Sequence, residues 1–295
     1  MDISKWRVFT KVAEVLNVTA AADQLDMSQS GVSYTLKCLE QETGFPLFIR
    51  HPQGVTLTAS AQELLPVIHN FLNEKEKVDQ TIAQINGMTR GVIRIASYQS
   101  IGITWLPEIL EQFLHDFPHI HINIWEGGDD DVEHALFNNE VDLAFTSLRE
   151  RPNFEWIQLA TDQLQAIFPE GHRCASKECI PLTLFKDELF ITSPGFYEHD
   201  VNYFLKMHDV QPENILCHST EAFSIMAMVR KGLGSSLLFT RIIEAGGLHK
   251  LVVKPISPPI SRQLGIAIAS KEQASPAAKI FIEYAEDIVS VMNDA

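Results

Sequence analysis

The first thirty residues place apolar side chains at helical spacing, with short polar breaks between the runs. The apolar positions of the first run are Trp6, Phe9, Val12, Ala13 and Leu16. Their spacing of three or four residues predicts an amphipathic helix over residues 4–16. Asn17-Val18-Thr19 interrupts the pattern, and Thr19 is placed to cap a short helix over residues 20–25, which is rich in alanine.

A third helix is predicted after the turn at residues 26–28, with Ser28 as its N-cap and Gly44 as its C-terminal cap. Its apolar stripe comprises Val32, Leu36 and Leu39. The polar face carries Gln29, Ser30, Ser33, Tyr34 and Lys37. Two helices joined by a tight turn, the second with a polar N-terminal face, are typical of a helix-turn-helix that reads the major groove of DNA.

The polar face of the third helix has the chemistry of base and phosphate contacts. Gln29 can pair with adenine through two hydrogen bonds, and the hydroxyls of Ser30 and Ser33 can donate or accept. Tyr34 and Lys37 can reach a base edge or a phosphate. The alternative is a three-helix packing unit whose polar face is only solvated, and the pattern alone leaves both interpretations open.

Two short β-prone runs follow, on either side of Pro52-Gln53-Gly54. This pattern predicts a hairpin, or wing, beside the third helix. A wing in that position sets Arg50 against the phosphates or the minor groove, with Gln53 as a second candidate contact at the turn. A plain surface hairpin is the alternative.

A long helix is predicted next, beginning at the capping box formed by Ser60 and Glu63. Its apolar positions follow a heptad spacing that Lys75 interrupts: Ala61, Leu64, Ile68, Phe71, Val78, Ile82 and Ile85. Such a seam needs a partner, either a second copy of the chain or its own C-terminal region. Pairing of two copies is favoured, because two-fold related DNA-reading units match a palindromic site. Pro66 is expected to kink or delay the helix.

From Gly91 the periodicity changes to alternating strands and helices. Strands are predicted over 92–96, 121–125 and 141–145, with helices to about residue 115 and over 131–138. This βαβαβ order indicates an open, mostly parallel sheet with helices on both faces.

A second α/β unit is predicted to start near Gln163. Its strands are placed at 164–168, 190–192, 215–218 and 236–239, while a last strand at 265–269 and a helix at 276–292 return to the first unit. The sequence therefore predicts two lobes connected by two crossovers.

Composition narrows the class of protein. The 295 residues are 45% apolar and 21% charged, which is ordinary for a globular protein. The net charge of −15 argues against a generic binder of polyanions. The first sixty residues hold five basic and six acidic side chains, so most of the acidity lies downstream. No apolar run reaches the length of a membrane span, and the start shows no signal sequence, so a cytoplasmic protein is expected.

Other candidate sites carry weaker signals. His115, His119 and His121 straddle a helix end and a strand start, which does not suit a zinc site. The acidic run at residues 129–131 lacks calcium-loop spacing and suits a helix start. Nothing near Cys174 and Cys179 points to a depressed thiol pKa, so a redox pair is not favoured. The sequence therefore predicts no metal, no cofactor and no catalytic motif.

Several stretches together resemble the LysR-type transcriptional regulators. They are FTKVAE at 9–14, TAAADQL at 19–25, MSQSGVS at 27–33, LE at 39–40, GFPLFIR at 44–50 and GVTLT at 54–58, with the looser LP at 106–107 and VRKGLG at 229–234. The family often has proline at the position of Ser30, a basic residue at Tyr34 and arginine at Gln53. Gln29, Ser33 and Arg50 are therefore the contacts that transfer best.

The resemblance implies an α/β protein with a division of labour along the chain. Residues 1–58 would form a winged helix-turn-helix, and residues 59–89 a linker helix that pairs chains. The effector domain would resemble a periplasmic binding protein. Its first lobe would comprise residues 90–161 and 268–295, and its second lobe residues 162–267. A homodimer or homotetramer would bind a promoter or operator, respond to a small effector and alter DNA bending or contact with RNA polymerase.

Candidate effector contacts follow from the rule that ligands bind at the carboxyl ends of such strands, against helix N-termini. They are Ser97, Ser100, Thr146, Ser193 and Gly195. By position, Ser100 matches the family's effector-binding hydroxyl. Hydroxyls and backbone N–H groups suit a small carboxylate or similar anion, whereas the plainer interpretation is that these residues only cap helices.

Two other classes of protein fit the two-lobed part of the chain. A small-molecule binding protein with no role on DNA would be expected to carry a secretory signal. An enzyme would need a convergent acid, base or nucleophile, and the sequence offers none.

Overall fold

The computed structural model describes residues 2–87, 89–148, 154–192, 198–219 and 221–294. Its first part consists of three helices followed by a hairpin. The elements are α1 (Ile3–Val15), α2 (Val18–Gln24), α3 (Gln29–Thr43), β1 (Phe48–His51) and β2 (Gly54–Leu57). The helix-turn-helix and wing predicted from the sequence are therefore both present.

Local hydrogen bonds set the ends of these helices. The Asn17 side chain accepts from the N–H of Thr19 at 2.9 Å, so the prediction that Thr19 caps α2 was wrong. The helix begins two residues earlier, at Val18, and Asn17 already supplies the acceptor. Ser28 caps α3 as predicted, its Oγ accepting from the N–H of Gly31 at 3.1 Å. Gly44 ends α3 with a φ of +81°.

The apolar stripes of the three helices meet in one core. Val32, Leu36 and Leu39 of α3 are buried in the same cluster as Phe9 and Val12 of α1. Burying this stripe turns the opposite, polar face of α3 outward.

The wing is fastened to the end of α1. The N–H of Val55 donates to the carbonyl of Leu16 at 2.9 Å. A Cβ at Gly54 would lie 2.5 Å from that same carbonyl oxygen, so only glycine allows the close approach. The hairpin is antiparallel, with His51 opposite Gly54. The position of the wing relative to the helices is thus fixed by backbone contacts.

The linker helix α4 runs over Ala59–Ile85, 27 residues or roughly 40 Å. Its N-cap is Thr58, whose Oγ1 accepts from the N–H of Ala61 at 3.2 Å and donates to the carbonyl of Pro46 at 2.8 Å. The predicted start at Ser60 was therefore two residues late, because a contact with the segment before the wing selects Thr58. Pro66 lies inside the helix without ending it.

Lobe 1 begins with the predicted βαβαβ order. Its elements are β3 (Gly91–Ser97), α5 (Gln99–Asp116), β4 (Ile120–Glu126), α6 (Asp129–Phe137) and β5 (Leu143–Ser147). Strand β3 pairs in parallel with β4 on one side and β5 on the other. The sheet then continues with antiparallel strands, so it is mixed rather than mostly parallel.

The rest of the described chain forms lobe 2 and returns to lobe 1. Its elements are β6 (Glu155–Pro169), β7 (Ile180–Pro181), β8 (Phe190–Thr192), α7 (Glu198–Met207), β9 (Ile215–His218), α8 (Ala222–Arg230), β10 (Ser236–Phe239), α9 (Thr240–Gly246), β11 (Leu251–Ser257), β12 (Ser261–Ile268) and α10 (Pro276–Asp294), with short 3₁₀ helices at Arg173–Ser176 and Leu182–Lys186. The order of strands in the main sheet is β4-β3-β5-β12-β6-β11-β7, with β10 also paired to β6.

The two lobes are joined by β6 and β12, as the predicted pair of crossovers requires. These strands are antiparallel, from Gln163 opposite Ser261 to Glu155 opposite Ile268. Both strands start earlier than the predicted residues 164 and 265, and β11 was not predicted. The cause is that the connecting halves of β6 and β12 are only partly buried, so they lack the apolar pattern used to place strands.

Each lobe has its own apolar core. Trp105 and Phe113 of α5 pack with Phe281 of α10 in lobe 1, which confirms the predicted return of the last helix. Phe185 and Phe190 belong to the core of lobe 2. No helix in the described part of the chain is both long and apolar enough to cross a membrane.

Candidate functional site

The polar face of α3 is presented to solvent at the surface of the N-terminal unit. Four of the five candidate residues are exposed and Ser33 is half-buried. Tyr34 is 70% exposed. The Ser30 hydroxyl lies 3.1 Å from the Ser28 Oγ that caps the helix, so part of its bonding capacity is used locally. Gln29 and Lys37 have no such local engagement with any described residue.

The basic side chains of the N-terminal unit fall into two groups. Lys5 and Lys11 form ion pairs with glutamates of the same unit. Arg7, Lys37 and Arg50 are exposed and form no ion pair with a described residue. Arg50 lies on the wing strand β1 opposite Val55, and Gln53 is exposed at the turn. The cations without an ion pair to a described residue therefore include Lys37 on α3 and Arg50 on the wing.

The candidate effector contacts of lobe 1 lie where β3 and β5 end. Strands β3 and β5 are neighbours, yet the chain goes from β3 to β4 on the other side, so their carboxyl ends form the topological switch point of the sheet. Ser97 and Ser100 follow β3, and Thr146 is at the end of β5. All three are buried. The structure thus brings these three predicted residues together.

Ser100 has the most unusual environment of the three. Its side chain is 0% exposed, and its Oγ has no hydrogen-bond partner in the described structure. It lies in the first turn of α5, an 18-residue helix whose N-cap residue, Tyr98, makes no side-chain cap bond. A buried hydroxyl without a partner is costly. This position therefore offers an unused hydroxyl beside the N–H groups of a helix start.

Ser97 and Thr146 are engaged within the chain. The Ser97 hydroxyl donates to the Tyr98 carbonyl at 3.0 Å. The Thr146 hydroxyl donates to the phenol oxygen of Tyr98 at 2.8 Å, and that phenol lies 3.0 Å from the Ser147 Oγ. The Tyr98 ring thus fills the crevice between the ends of β3 and β5. Sequence reasoning missed Tyr98, although an aromatic residue directly after a buried strand was a visible signal.

A buried ion pair lies at the junction of the lobes. Nη2 of Arg262 on β12 is 3.1 Å from Oδ2 of Asp162 on β6, and both side chains are buried. The Arg262 guanidinium also lies 3.8 Å from the ring centre of Phe239 in lobe 2 and 5.7 Å from that of Tyr98 in lobe 1. This cation therefore contacts both lobes. No pattern in the sequence indicated this ion pair, because only the pairing of β6 with β12 brings the two residues together.

Two further contacts cross between the lobes. The Gln99 amide donates to the Glu221 carboxylate at 3.1 Å. The Arg241 guanidinium lies over the Trp105 ring at 4.4 Å. Desolvation lowers the pKa of Arg241, against the opposing attraction of Asp162. The cleft is thus bordered by polar and cationic groups from both lobes.

Some sequence predictions cannot be placed on this structure. Ser193 and Gly195 lie outside the described residues. Strand β8 ends at Thr192, which is buried. Cys174 is buried and Cys179 exposed, and no described group of three or more histidine, cysteine or acidic side chains could hold a metal ion.

A winged helix-turn-helix, a long helix with an apolar seam and two lobes around a polar cleft define a ligand-responsive DNA-binding protein. Family comparison gives the same division. Residues 3–62 match the model of the bacterial regulatory helix-turn-helix protein, lysR family, and residues 86–289 match the LysR substrate binding domain. The chain belongs to the LysR family of DNA-binding transcriptional regulators, with a substrate-binding effector domain.

Relatives and solved structures cover nearly the whole chain. The HTH-type transcriptional regulator YvbU of Bacillus subtilis is 29% identical over 293 residues, which are 98% of this chain and 99% of that protein. A full-length OxyR variant from Pseudomonas aeruginosa has a TM-score of 0.77 at 21% identity, over 98% of this chain and 94% of that one. CbnR in complex with its target DNA has a TM-score of 0.66 at 20% identity, over 97% and 99%. At such identities, the structures show a shared fold.

Proposed function

We propose that two or four copies of this chain bind an operator, and that a small carboxylate or similar anion between the lobes controls the complex. Residues 1–58 bind the DNA and 59–89 pair the chains. The lobes comprise 90–161 with 268–295, and 162–267. The DNA contacts are Gln29, Ser30, Ser33, Tyr34, Lys37, Arg50 and Gln53, of which Gln29, Ser33 and Arg50 are central. Ser100 is the central effector contact, supported by Ser97, Thr146, Ser193 and Gly195.

The Ser100 hydroxyl carries the effector proposal. It is buried and unpartnered at the start of α5, where backbone N–H groups also lack helical acceptors. The helix dipole favours negative charge at this end. A carboxylate could accept from the hydroxyl and from those N–H groups of the first turn that have no acceptor.

The exposed face of α3 and the unpaired cations support DNA binding. Lys37 on α3 and Arg50 on the wing are free to neutralise phosphates, and the amide of Gln29 is free to bond a base edge. Because the protein as a whole is acidic, long-range attraction to DNA is weak. Specificity then depends on base contacts and on the spacing of the two DNA-reading units.

The apolar seam of α4 supports pairing of chains. Its first half is covered by the N-terminal core, where Ala61 and Ile68 are buried. Its second half is exposed: Phe71, Val78, Ile82 and Ile85 are 41 to 79% exposed. An apolar stripe of this length on one helix face is stabilised by a second copy of the same stripe.

We also infer that the chain acts by binding rather than catalysis. A regulator of this family works where the DNA is, which places it in the cytoplasm. Its position on a promoter would change the access of RNA polymerase, and the direction of that change, activation or repression, depends on the target site.

Thermal unfolding of the full chain with millimolar acetate, succinate or benzoate tests the effector proposal. At least one of these anions is expected to raise the melting temperature of the wild type by a few degrees, because a ligand at ten times its Kd contributes about 1.4 kcal/mol. The Ser100→Ala variant is expected to lose that shift. Ser176→Ala, which removes an exposed hydroxyl in lobe 2, is the matched control and is expected to keep it.

Two results would contradict the proposal. If the anion raises the melting temperature of Ser100→Ala as much as that of the wild type, the Ser100 hydroxyl does not contact the anion. A wild type that responds to none of the carboxylates would argue against an anionic effector.

A further inference from the structure

The linker helix α4 has a second face, which is polar and turned toward lobe 1. His69, Asn73 and Gln80 lie four and seven residues apart, so they follow one side of the helix over three turns. The apolar seam with Val78 and Ile82 lies on another side. Each of the three polar side chains makes a hydrogen bond to the backbone of lobe 1.

The contact nearer the N-terminus of α4 joins this helix to the loop after α6. The His69 ring donates through Nδ1 to the Asn138 carbonyl at 2.9 Å, and the Asn73 amide donates to the Asn139 carbonyl at 2.8 Å. Asn139 has a φ of +54°, a left-handed conformation that asparagine tolerates and that orients its carbonyl. The loop is thus shaped to offer two successive acceptors to α4.

The same contact is tied into the sheet of lobe 1. The Asn73 Oδ1 accepts from the guanidinium of Arg94 on β3 at 3.2 Å. The Arg94 side chain is also 3.5 Å from the carboxylate of Asp142, which accepts from the Arg94 N–H at 2.7 Å. Asn73 therefore uses both ends of its amide to join α4 to the loop and to β3.

The contact nearer the C-terminus of α4 is buried, and both ends of the Gln80 amide form hydrogen bonds there. Gln80 is 3% exposed. Its Nε2 donates to the Val92 carbonyl at 3.2 Å, and its Oε1 accepts from the N–H of Ala277 at the start of α10, also at 3.2 Å. A Cβ at Gly91 would lie 2.5 Å from the Gln80 side chain, so glycine leaves the room that Gln80 occupies.

These contacts span the connection between α4 and lobe 1. Asn86 and Gly87 follow α4, and Gly87 has a φ of +73°. Strand β3 begins at Gly91. A short connection through a glycine permits a hinge. The hydrogen bonds that leave the polar face of α4 for described residues of the effector domain all end on lobe 1 or on α10, which packs with lobe 1.

We propose that His69, Asn73 and Gln80 form a clamp that makes α4 and lobe 1 one rigid body. This inference rests on the proposed function for its regulatory meaning: the effector then moves lobe 2 relative to both lobe 1 and the DNA-reading unit. The three residues are positioning residues, because they contact neither DNA nor effector. The clamp also predicts an effect in the other direction: DNA bound by the N-terminal unit reduces the motion of lobe 1.

Hydrogen exchange of the full-length protein tests the clamp, with and without a DNA duplex that the wild type has selected from a random pool. In the wild type, the duplex is expected to slow exchange at least threefold at residues 138–142 and in β3. In Asn73→Ala/Gln80→Ala the duplex is expected to bind with an affinity within threefold of the wild type, but without slowing exchange in lobe 1.

The matched control is Asn70→Ala/Gln84→Ala, which truncates the same residue types at exposed positions of α4. It is expected to behave as the wild type. If the double clamp variant does not fold, the half-buried Asn73→Ala change is measured alone, and a loss of at least half of the slowing is expected.

The clamp is contradicted if the duplex slows hydrogen exchange in lobe 1 of a clamp variant as much as in the wild type. It is also contradicted if a duplex that binds the wild type does not slow exchange there. If the wild type selects no duplex, the proposed function fails instead. Hydrogen exchange measured without DNA then still tests the clamp. The clamp predicts that residues 138–142 exchange at least tenfold faster in Asn73→Ala/Gln80→Ala than in the control variant.

Discussion

At the scale of single residues, the hydroxyls that the structure describes in the cleft differ in their hydrogen bonding. Ser100 is buried without a partner, whereas Thr146 and Ser147 are engaged by the phenol of Tyr98. Position after a strand was enough to predict Ser97, Ser100 and Thr146, because strand ends are local features. It could not show that the ring of Tyr98 occupies the space between them, since that depends on how β3 and β5 pair.

The same limit applies to the ion pair between Asp162 and Arg262. Each residue alone is an ordinary charge on a strand, and the sequence separates them by 100 positions. Their pairing is decided by the register of β6 and β12. In contrast, the caps Ser28 and Gly44 were predictable, because each makes its capping hydrogen bond within α3 itself.

The residue-scale prediction on the DNA side concerns Gln29. Gln29→Ala is expected to lower discrimination at one base pair of the selected duplex by about 1–3 kcal/mol, since a bidentate pair with adenine is lost. The measurement compares affinities for the selected duplex and for duplexes with single base changes. Gln41→Ala, an exposed glutamine near the other end of α3, is the control and is expected to keep the wild-type preference. An unchanged preference in Gln29→Ala would exclude that contact.

At the scale of elements, α4 serves three neighbours with different faces. Its first turns are buried on the N-terminal core, its polar face bonds lobe 1, and the second half of its seam is exposed. The heptad pattern predicted the helix and the need for a partner. It did not separate the two candidate partners, and the structure shows that packing within the chain accounts for part of the helix.

The exposed half of the seam gives a prediction for assembly. Ile82→Lys is expected to raise the dimer dissociation constant by about 100-fold, because two copies each lose roughly 1.5 kcal/mol of apolar burial. Sedimentation over a range of concentrations measures it. Gln84→Lys adds the same charge at an exposed position off the seam, and its association should match that of the wild type. Identical association of both variants would show that the chains do not pair through α4.

At the scale of the whole molecule, the DNA-binding part of the chain is separate from the part that binds the effector. The N-terminal unit and α4 form a DNA-reading arm, and β6 and β12 connect the two lobes that enclose the cleft. The βαβαβ order of lobe 1 was predicted because its strands are short apolar runs that alternate with helices, and β5 is buried along its whole length. Lobe 2 was predicted less completely, since β11 contains Lys254 and Pro255 and does not alternate.

The most direct test of the central claim is the composition of the complex with a duplex selected from a random pool. We expect two or four chains on one duplex, with half-sites about 34–36 Å apart or a multiple of that, and an affinity that falls as salt rises. A chain that remains monomeric at working concentration and selects no duplex at low salt would contradict the account.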